Sequence, residues 1–150
     1  MKLGTKILSG LVLLFLLAQF IPSEKNRAIG VQPNDIFTKY PAPVEVQAIA
    51  KKACYDCHSN NTVYPWYSNV QPVAWWIDDH VKEGKRKFNF SEFTTYSPKR
   101  ARHKLEEVGE QINEHEMPLS SYTLIHKEAR LTPAEQKLLM DWTKNTRAGI

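Results

Sequence analysis

The chain has 150 residues, 42% of them hydrophobic and 11% aromatic, with nine prolines. That is one domain's length after any targeting segment, and too apolar a composition for a disordered chain. The formal charge is +4, and setting aside Lys2 and Lys6 leaves 18 basic against 16 acidic residues, which gives no basic footprint for a nucleic acid.

Met1 to Thr5 carry the leading lysines, and Ile7 to Ile21 follow as an almost wholly apolar run, ILSGLVLLFLLAQFI. Polar residues from Pro22 to Asn26 end it, the pattern of an export signal. The run closes on Ala18-Gln19-Phe20-Ile21 with no small-x-small cleavage site, so residues 1–22 are read as an uncleaved signal anchor in preference to a removed signal peptide. Fifteen residues fall short of the ~20 that span a bilayer comfortably. Thr5 and snorkelling lysines would extend the run. The positive flank stays cytoplasmic, which puts the remaining chain on the periplasmic side of an inner membrane. Residues 23–42, with Pro33 and Pro41, are expected to be an extended or irregular linker.

Pro43 to Ala53 reads as the first helix, with Val46, Ile49, Ala50 and Ala53 on one face. It leads into Cys54-Tyr55-Asp56-Cys57-His58, a C-x-x-C-H sequence that carries the only two cysteines. This is the attachment signal for haem c. Two thiols one helical turn apart add across the porphyrin vinyl groups, and His58 is then held beneath the iron as proximal ligand. A thiol redox pair would call for a βαβ context, which is absent. A zinc site would need a fourth ligand and a second ligand pair. A plain disulfide is the third alternative.

Ser59 to Gln71 is a polar and aromatic loop, in which Tyr64, Trp66 and Tyr67 are candidates to cover a haem edge or donate to a propionate; ordinary loop packing is the competing reading. Pro72 to Glu83 is the second helix, with Gly84 as its stop and His80 on the apolar face beside Trp76, Ile77 and Val81. The phenylalanines of FNFSEF, 88 to 93, pack down as a loop. A third helix spans 98–115, capped by Ser97, and ends before Met117-Pro118. Leu119 to Leu131 is a connecting segment. Thr132 and Glu135 form a capping box that opens a last helix over 132–144, with Leu138, Leu139 and Trp142 buried and a frayed tail beyond Thr143. The expected fold is all-α with these four main helices. Domain boundaries fall at 1–22, 23–42 and 43–145.

An iron opposite His58 needs a second ligand or stays open. Met117 is the one methionine outside both the leader and a helix interior, and the following proline stiffens its loop. Met/His ligation raises a haem potential. Its rivals are His80, His103, His115 and His126, with His115 foremost for its place beside Met117 on the apolar stripe.

Several blocks together are similar to the bacterial haem-binding domain family of small cytochrome c-like proteins. They are Cys54-x-x-Cys57-His58-Ser59, Tyr64-Pro65-Trp66-Tyr67, Asp79-His80-Val81, Asn89-Phe90-Ser91, and Met117-Pro118 with Tyr122 and His126. The resemblance implies a mono-haem, c-type, membrane-tethered or periplasmic domain, built as a cytochrome c-like bundle around one covalent haem. A broader likeness to class I cytochromes c implies that Trp142 of the last helix packs on the first. On these grounds an electron carrier is expected, serving periplasmic or membrane redox proteins and docking through a local patch such as Lys51, Lys52, Lys85, Arg86 and Lys87. A haem enzyme or gas or redox sensor with an open or displaceable distal position is the alternative.

Overall fold

The computed structural model describes residues 2–150. These form eight α-helices and three 3-10 turns, with no strand among the described residues. The helices are α1 (Leu3–Ala18), α2 (Ile36–Lys39), α3 (Val44–Ala53), α4 (Tyr55–His58), α5 (Val73–Lys87), α6 (Pro98–Asn113), α7 (Ser120–Ile125) and α8 (Pro133–Ala148). The all-α expectation holds, and the four main helices are α3, α5, α6 and α8.

The caps explain where the long helices begin. The Ser97 hydroxyl accepts from the Arg100 N–H, and Pro98 occupies the first turn of α6. Thr132 and Glu135 cap each other's backbone at α8, with Pro133 behind them. Burial then decides the packing. Helices α6 and α8 share the broadest interface, and α8 also crosses α3. Val46, Ile49, Leu105, Ile112, Leu139 and Trp142 belong to one buried cluster, completed by Phe88, Phe90 and Phe93. The Trp142 ring lies 5.4 Å from that of Phe37. Trp142 thus joins the Val46/Ile49 face, as the likeness to cytochromes c implied.

Several expectations change. Leu138 is 45% exposed; the buried stripe of α8 is Leu139, Trp142 and Thr143, because one residue step rotates a helix by about 100°. The tail does not fray at Thr143: α8 continues to Ala148, and Arg147 pairs with Glu106 of α6. Gly84 does not stop α5. It lies buried inside that helix, whose last turn is Lys85, Arg86 and Lys87, cations suited to a C-terminal dipole. The connecting segment 119–131 contains α7 and a 3-10 turn at Lys127–Ala129.

The stretch 23–42 is built into the domain, not strung beside it. Ile36 of α2 is fully buried, and Asp35 caps α2 while accepting the Tyr55 hydroxyl at 3.0 Å. Arg27 and Asn61 form an isolated antiparallel bridge, flanked by Ala28 N–H to Asn60 O and Thr62 N–H to Asn26 O, both 2.9 Å. Polar backbone pairing of this kind leaves no hydrophobic period to read.

Helix α1 has no buried residue. Its 16 residues rise about 24 Å, against a hydrocarbon core of about 30 Å. Among the described residues no helix is long and apolar enough to cross a membrane. Its C-terminal end is docked: Gln71 N–H donates to Gln19 Oε1 at 3.0 Å, and the Trp75 indole donates to Ile21 O at 3.1 Å.

Candidate functional site

Helix α3 breaks at Cys54, where φ is −125°, and at the next residue the chain re-enters helix as α4. The Cys57 and His58 N–H groups both donate to Cys54 O, at 3.2 and 3.0 Å. The motif is therefore a single tight turn with both thiols free. Helix α5 holds it from one side. Gly84 lets the two backbones approach so closely that a Cβ there would stand 2.5 Å from Cys57 O.

At the end of α5 the Phe88 carbonyl accepts the His58 Nδ1–H at 3.0 Å. That bond fixes the tautomer and leaves the Nε2 lone pair for a ligand bond, the support that metal-binding histidines ordinarily have. Burial pulls the His58 pKa down against the opposing pull of the Phe88 and Gly84 carbonyls, which favours the neutral ligand form.

The thiols are held high. Burial, reinforced by the neighbouring Cys57, pushes Cys54 to about 12; burial, with Asp56 next, pushes Cys57 to about 11. A dithiol redox centre works through a depressed thiolate pKa, so this microenvironment does not serve one. Among the described residues no group of three or more His, Cys, Asp or Glu side chains is placed to hold a metal ion, which leaves the zinc reading without ligands.

Beside the motif lies a cleft of about 90 Å³. Cys57 and Asp56 of α4 line it, facing Trp76, Ile77 and His80 of α5. Tyr64 and Tyr67 close another side, and Leu119, Tyr122 and His126 come from the segment around α7. Val63, Val73, Trp76 and Ile125 line the cleft while remaining exposed, an apolar rim suited to a flat apolar ligand. The donor types of the C-x-x-C-H turn suit a haem, and of Cys54, Cys57 and His58 it is Cys57 that lines this cleft.

The anticipated residues divide. Cys57, Tyr64 and Tyr67 meet at the cleft. Cys54 packs on the core beside Tyr55, and His58 turns to Phe88. Trp66 is 79% exposed and does not line the cleft. Met117 is half-buried after α6, its N–H on Gln111 O at 3.2 Å, two residues from the cleft-lining Leu119. His115 is exposed in a left-handed conformation (φ 59°), and its Nδ1 accepts from Gln136 at 3.2 Å. His103 is exposed and faces Glu107. His80 donates Nδ1–H to Trp76 O at 2.8 Å within its own helix.

Three residues had a weaker signal in sequence. Asp56, inside the motif, accepts the Tyr122 hydroxyl at 2.7 Å and the Val63 N–H at 3.1 Å, tying α7 and the aromatic loop to α4. Tyr122 and His126 stack with ring centroids 4.3 Å apart. Both stand in the family resemblance given above, and His126 among the rival ligands, but neither reading points to this stack.

No curated protein and no solved structure matches the chain. Residues 13–145 match the haem-binding domain family. With a C-x-x-C-H turn, an imidazole whose Nδ1–H is held by a backbone carbonyl and a match over most of its length, the chain belongs to the haem-binding domain family.

Proposed function

We propose that this is a mono-haem c-type protein that carries electrons on the periplasmic side of the inner membrane. The observation that carries the reading is the His58 Nδ1–H bond to Phe88 O, one residue beyond a free C-x-x-C pair. Cys54 and Cys57 would hold the haem by thioethers, and His58 Nε2 would take the iron. Bound there, the haem supplies a one-electron centre. The protein sets its potential through axial ligand, burial and hydrogen bonding. Met117, two residues of chain and at most about 7 Å from a cleft residue, is the proposed opposite ligand.

Denaturation followed by acid-organic extraction tests the attachment. Haem should stay with the polypeptide, one per chain, and Cys54→Ala or Cys57→Ala should retain at most one thioether. Haem recovered in the organic phase from the unaltered chain would refute covalent attachment.

The localisation proposal rests on Lys2 and Lys6 ahead of the exposed apolar run of α1 and on the need to attach haem c outside the cytoplasm. Fractionation of cells expressing the full chain should leave the domain open to protease from the periplasmic side. A domain protected until the inner membrane is broken would rule this out. The docking patch is narrower than the sequence implied, since Lys52 pairs with Glu135 and both Arg86 and Lys87 pair with Glu83. Redox proteins remain the proposed partners, approached through the exposed Lys51, since Lys85 is half-buried and donates to Asn26 Oδ1 at 2.6 Å.

A second reading, an enzyme or sensor with an open iron, draws on one observation. His80, His126 and Tyr67 all line the cleft, and such groups supply acid–base chemistry. Ready binding of carbon monoxide by the reduced protein would favour it over the carrier.

A further inference from the structure

We infer that the mouth of the cleft is laid against the bilayer surface, with Val73 and Trp76 of α5 and Ile125 of α7 at the level of the lipid headgroups and upper acyl chains. This rests on the membrane reading above and adds to it which face of the domain the lipid covers.

The placement starts from α1. None of its residues is buried, so it does not pack along the domain. The domain grips it just beyond its C-terminal end. Gln19 and Gln71 bond in both directions: Gln71 N–H donates to Gln19 Oε1 at 3.0 Å, and Gln19 Nε2 donates to Gln71 O at 3.3 Å. Ile21 O accepts from Gln71 Nε2 at 2.9 Å and from the Trp75 indole at 3.1 Å. With its apolar length in the hydrocarbon, α1 brings this end to the boundary between lipid and water. Gln71 and Trp75 come with it. A helix that rises about 24 Å in a core of about 30 Å also draws its flanking residues inward. Phe20 and Ile21, both exposed, are the first of these.

The residues that follow are the cleft rim. Val73 is two residues of chain, at most about 7 Å, from Gln71. Trp76 adjoins Trp75. Both are exposed, and they line one cleft with Val63 and Ile125, which are exposed as well. The headgroup layer is about 5–7 Å deep on each side of the hydrocarbon, so a rim this close to the α1 exit lies within it.

The chemistry of this face suits lipid. A bound haem would contact the walls of the cleft, but it does not account for Trp66 and Leu124. Neither lines the cleft, and they are 79% and 70% exposed. Each stands beside it: the Trp66 ring meets that of the cleft residue Tyr67 edge-on at 5.9 Å, and Leu124 adjoins Ile125. Tryptophans at the end of an apolar segment form the belt by which membrane proteins sit at the interface. Cations accompany them. Lys25 and Arg27 follow the α1 exit and lie 4.4 and 5.6 Å from the ring centroid of Tyr64, itself a cleft residue. With Glu24 between α1 and these two, the stretch carries +1, enough to favour an anionic headgroup over a zwitterionic one.

Photolabelling tests the placement. The haem-loaded full chain is reconstituted in phosphatidylethanolamine–phosphatidylglycerol vesicles in which some lipid carries a diazirine near the top of an acyl chain, and labelled peptides are read by mass spectrometry. Val44 of α3 and Leu138 of α8 are exposed apolar residues outside the cleft and serve as internal controls. The expected result is label on α1 and on the peptides that hold Trp66, Val73–Trp76 and Leu124–Ile125, several-fold above that at Val44 and Leu138. Label on α1 alone overturns the docking, whether water or a second copy of the chain covers the rim, while the membrane reading stands. Equal label at the rim and at Leu138 means a domain with no fixed face toward the bilayer and overturns it too. A chain that takes no label anywhere overturns the membrane reading beneath it.

Discussion

Replacing Gly84 by alanine is expected to destabilise the domain by about 1–3 kcal/mol, the usual cost of forcing a methyl group into a packed site. Two effects compete. Alanine favours a helix interior over glycine by about 1 kcal/mol. Against that, the new Cβ would stand 2.5 Å from Cys57 O and 3.2 Å from Cys57 Cβ. The first of these contacts is backbone, which has no rotamer to yield, so the clash wins and α5 must move off α4. The Phe88 carbonyl would be drawn off with it, and with it the bond that orients His58. Haem uptake should fall along with the thermal midpoint. Gly109 of α6 is the matched control: a Cβ there meets only Thr143 Oγ1 at 3.5 Å, an ordinary contact, so Gly109→Ala should stabilise by up to about 1 kcal/mol. Melting by circular dichroism on both variants checks the pair. Equal effects of the same sign would show that the α4–α5 approach has slack.

Gly84 marks where the sequence stops being informative. A glycine followed by three cations has the composition of a helix end, and only the partner across the interface shows that it is a close-approach site. The legible parts were those with local causes. The Ser97 and Thr132 caps, the α3 stripe and the C-x-x-C-H turn are each set by residues within a few positions of one another. Trp142 could be placed through the likeness to class I cytochromes c, whereas Leu138, one turn before it, is exposed. Ile36 could not, since the short apolar pair Ile36-Phe37 between prolines shows no period, yet Ile36 is among the largest fully buried side chains. The cleft was half legible. Cys57, Tyr64 and Tyr67 stand in conspicuous blocks, whereas the ties from Asp56 to Tyr122 and from Tyr67 to His126 span 66 and 59 residues. Such links arise only once α7 has docked.

Met117→Ala is expected to remove a weak far-red charge-transfer band from the oxidised protein, lower its potential and open the reduced iron to carbon monoxide. A thioether bound to ferric haem gives that band, and two imidazoles do not. The change in potential follows from losing a ligand that favours the ferrous state. Geometry alters the list of rivals. His115, the neighbour foremost in sequence, is exposed and bonded to Gln136 on α8. His126 is committed at both nitrogens. His80 replaces them: it lines the cleft, and its Nδ1–H is held by Trp76 O as that of His58 is held by Phe88 O. The two variants therefore separate two iron environments. With Met117 as ligand, His80→Ala keeps the band and Met117→Ala loses it. If the unaltered protein has no band and His80→Ala turns it from low-spin to high-spin, the iron lies between His58 and His80. The protein would then still carry electrons, at a lower potential. If neither substitution changes the spectrum and carbon monoxide binds the unaltered protein at once, the iron is open on that side and the carrier assignment fails.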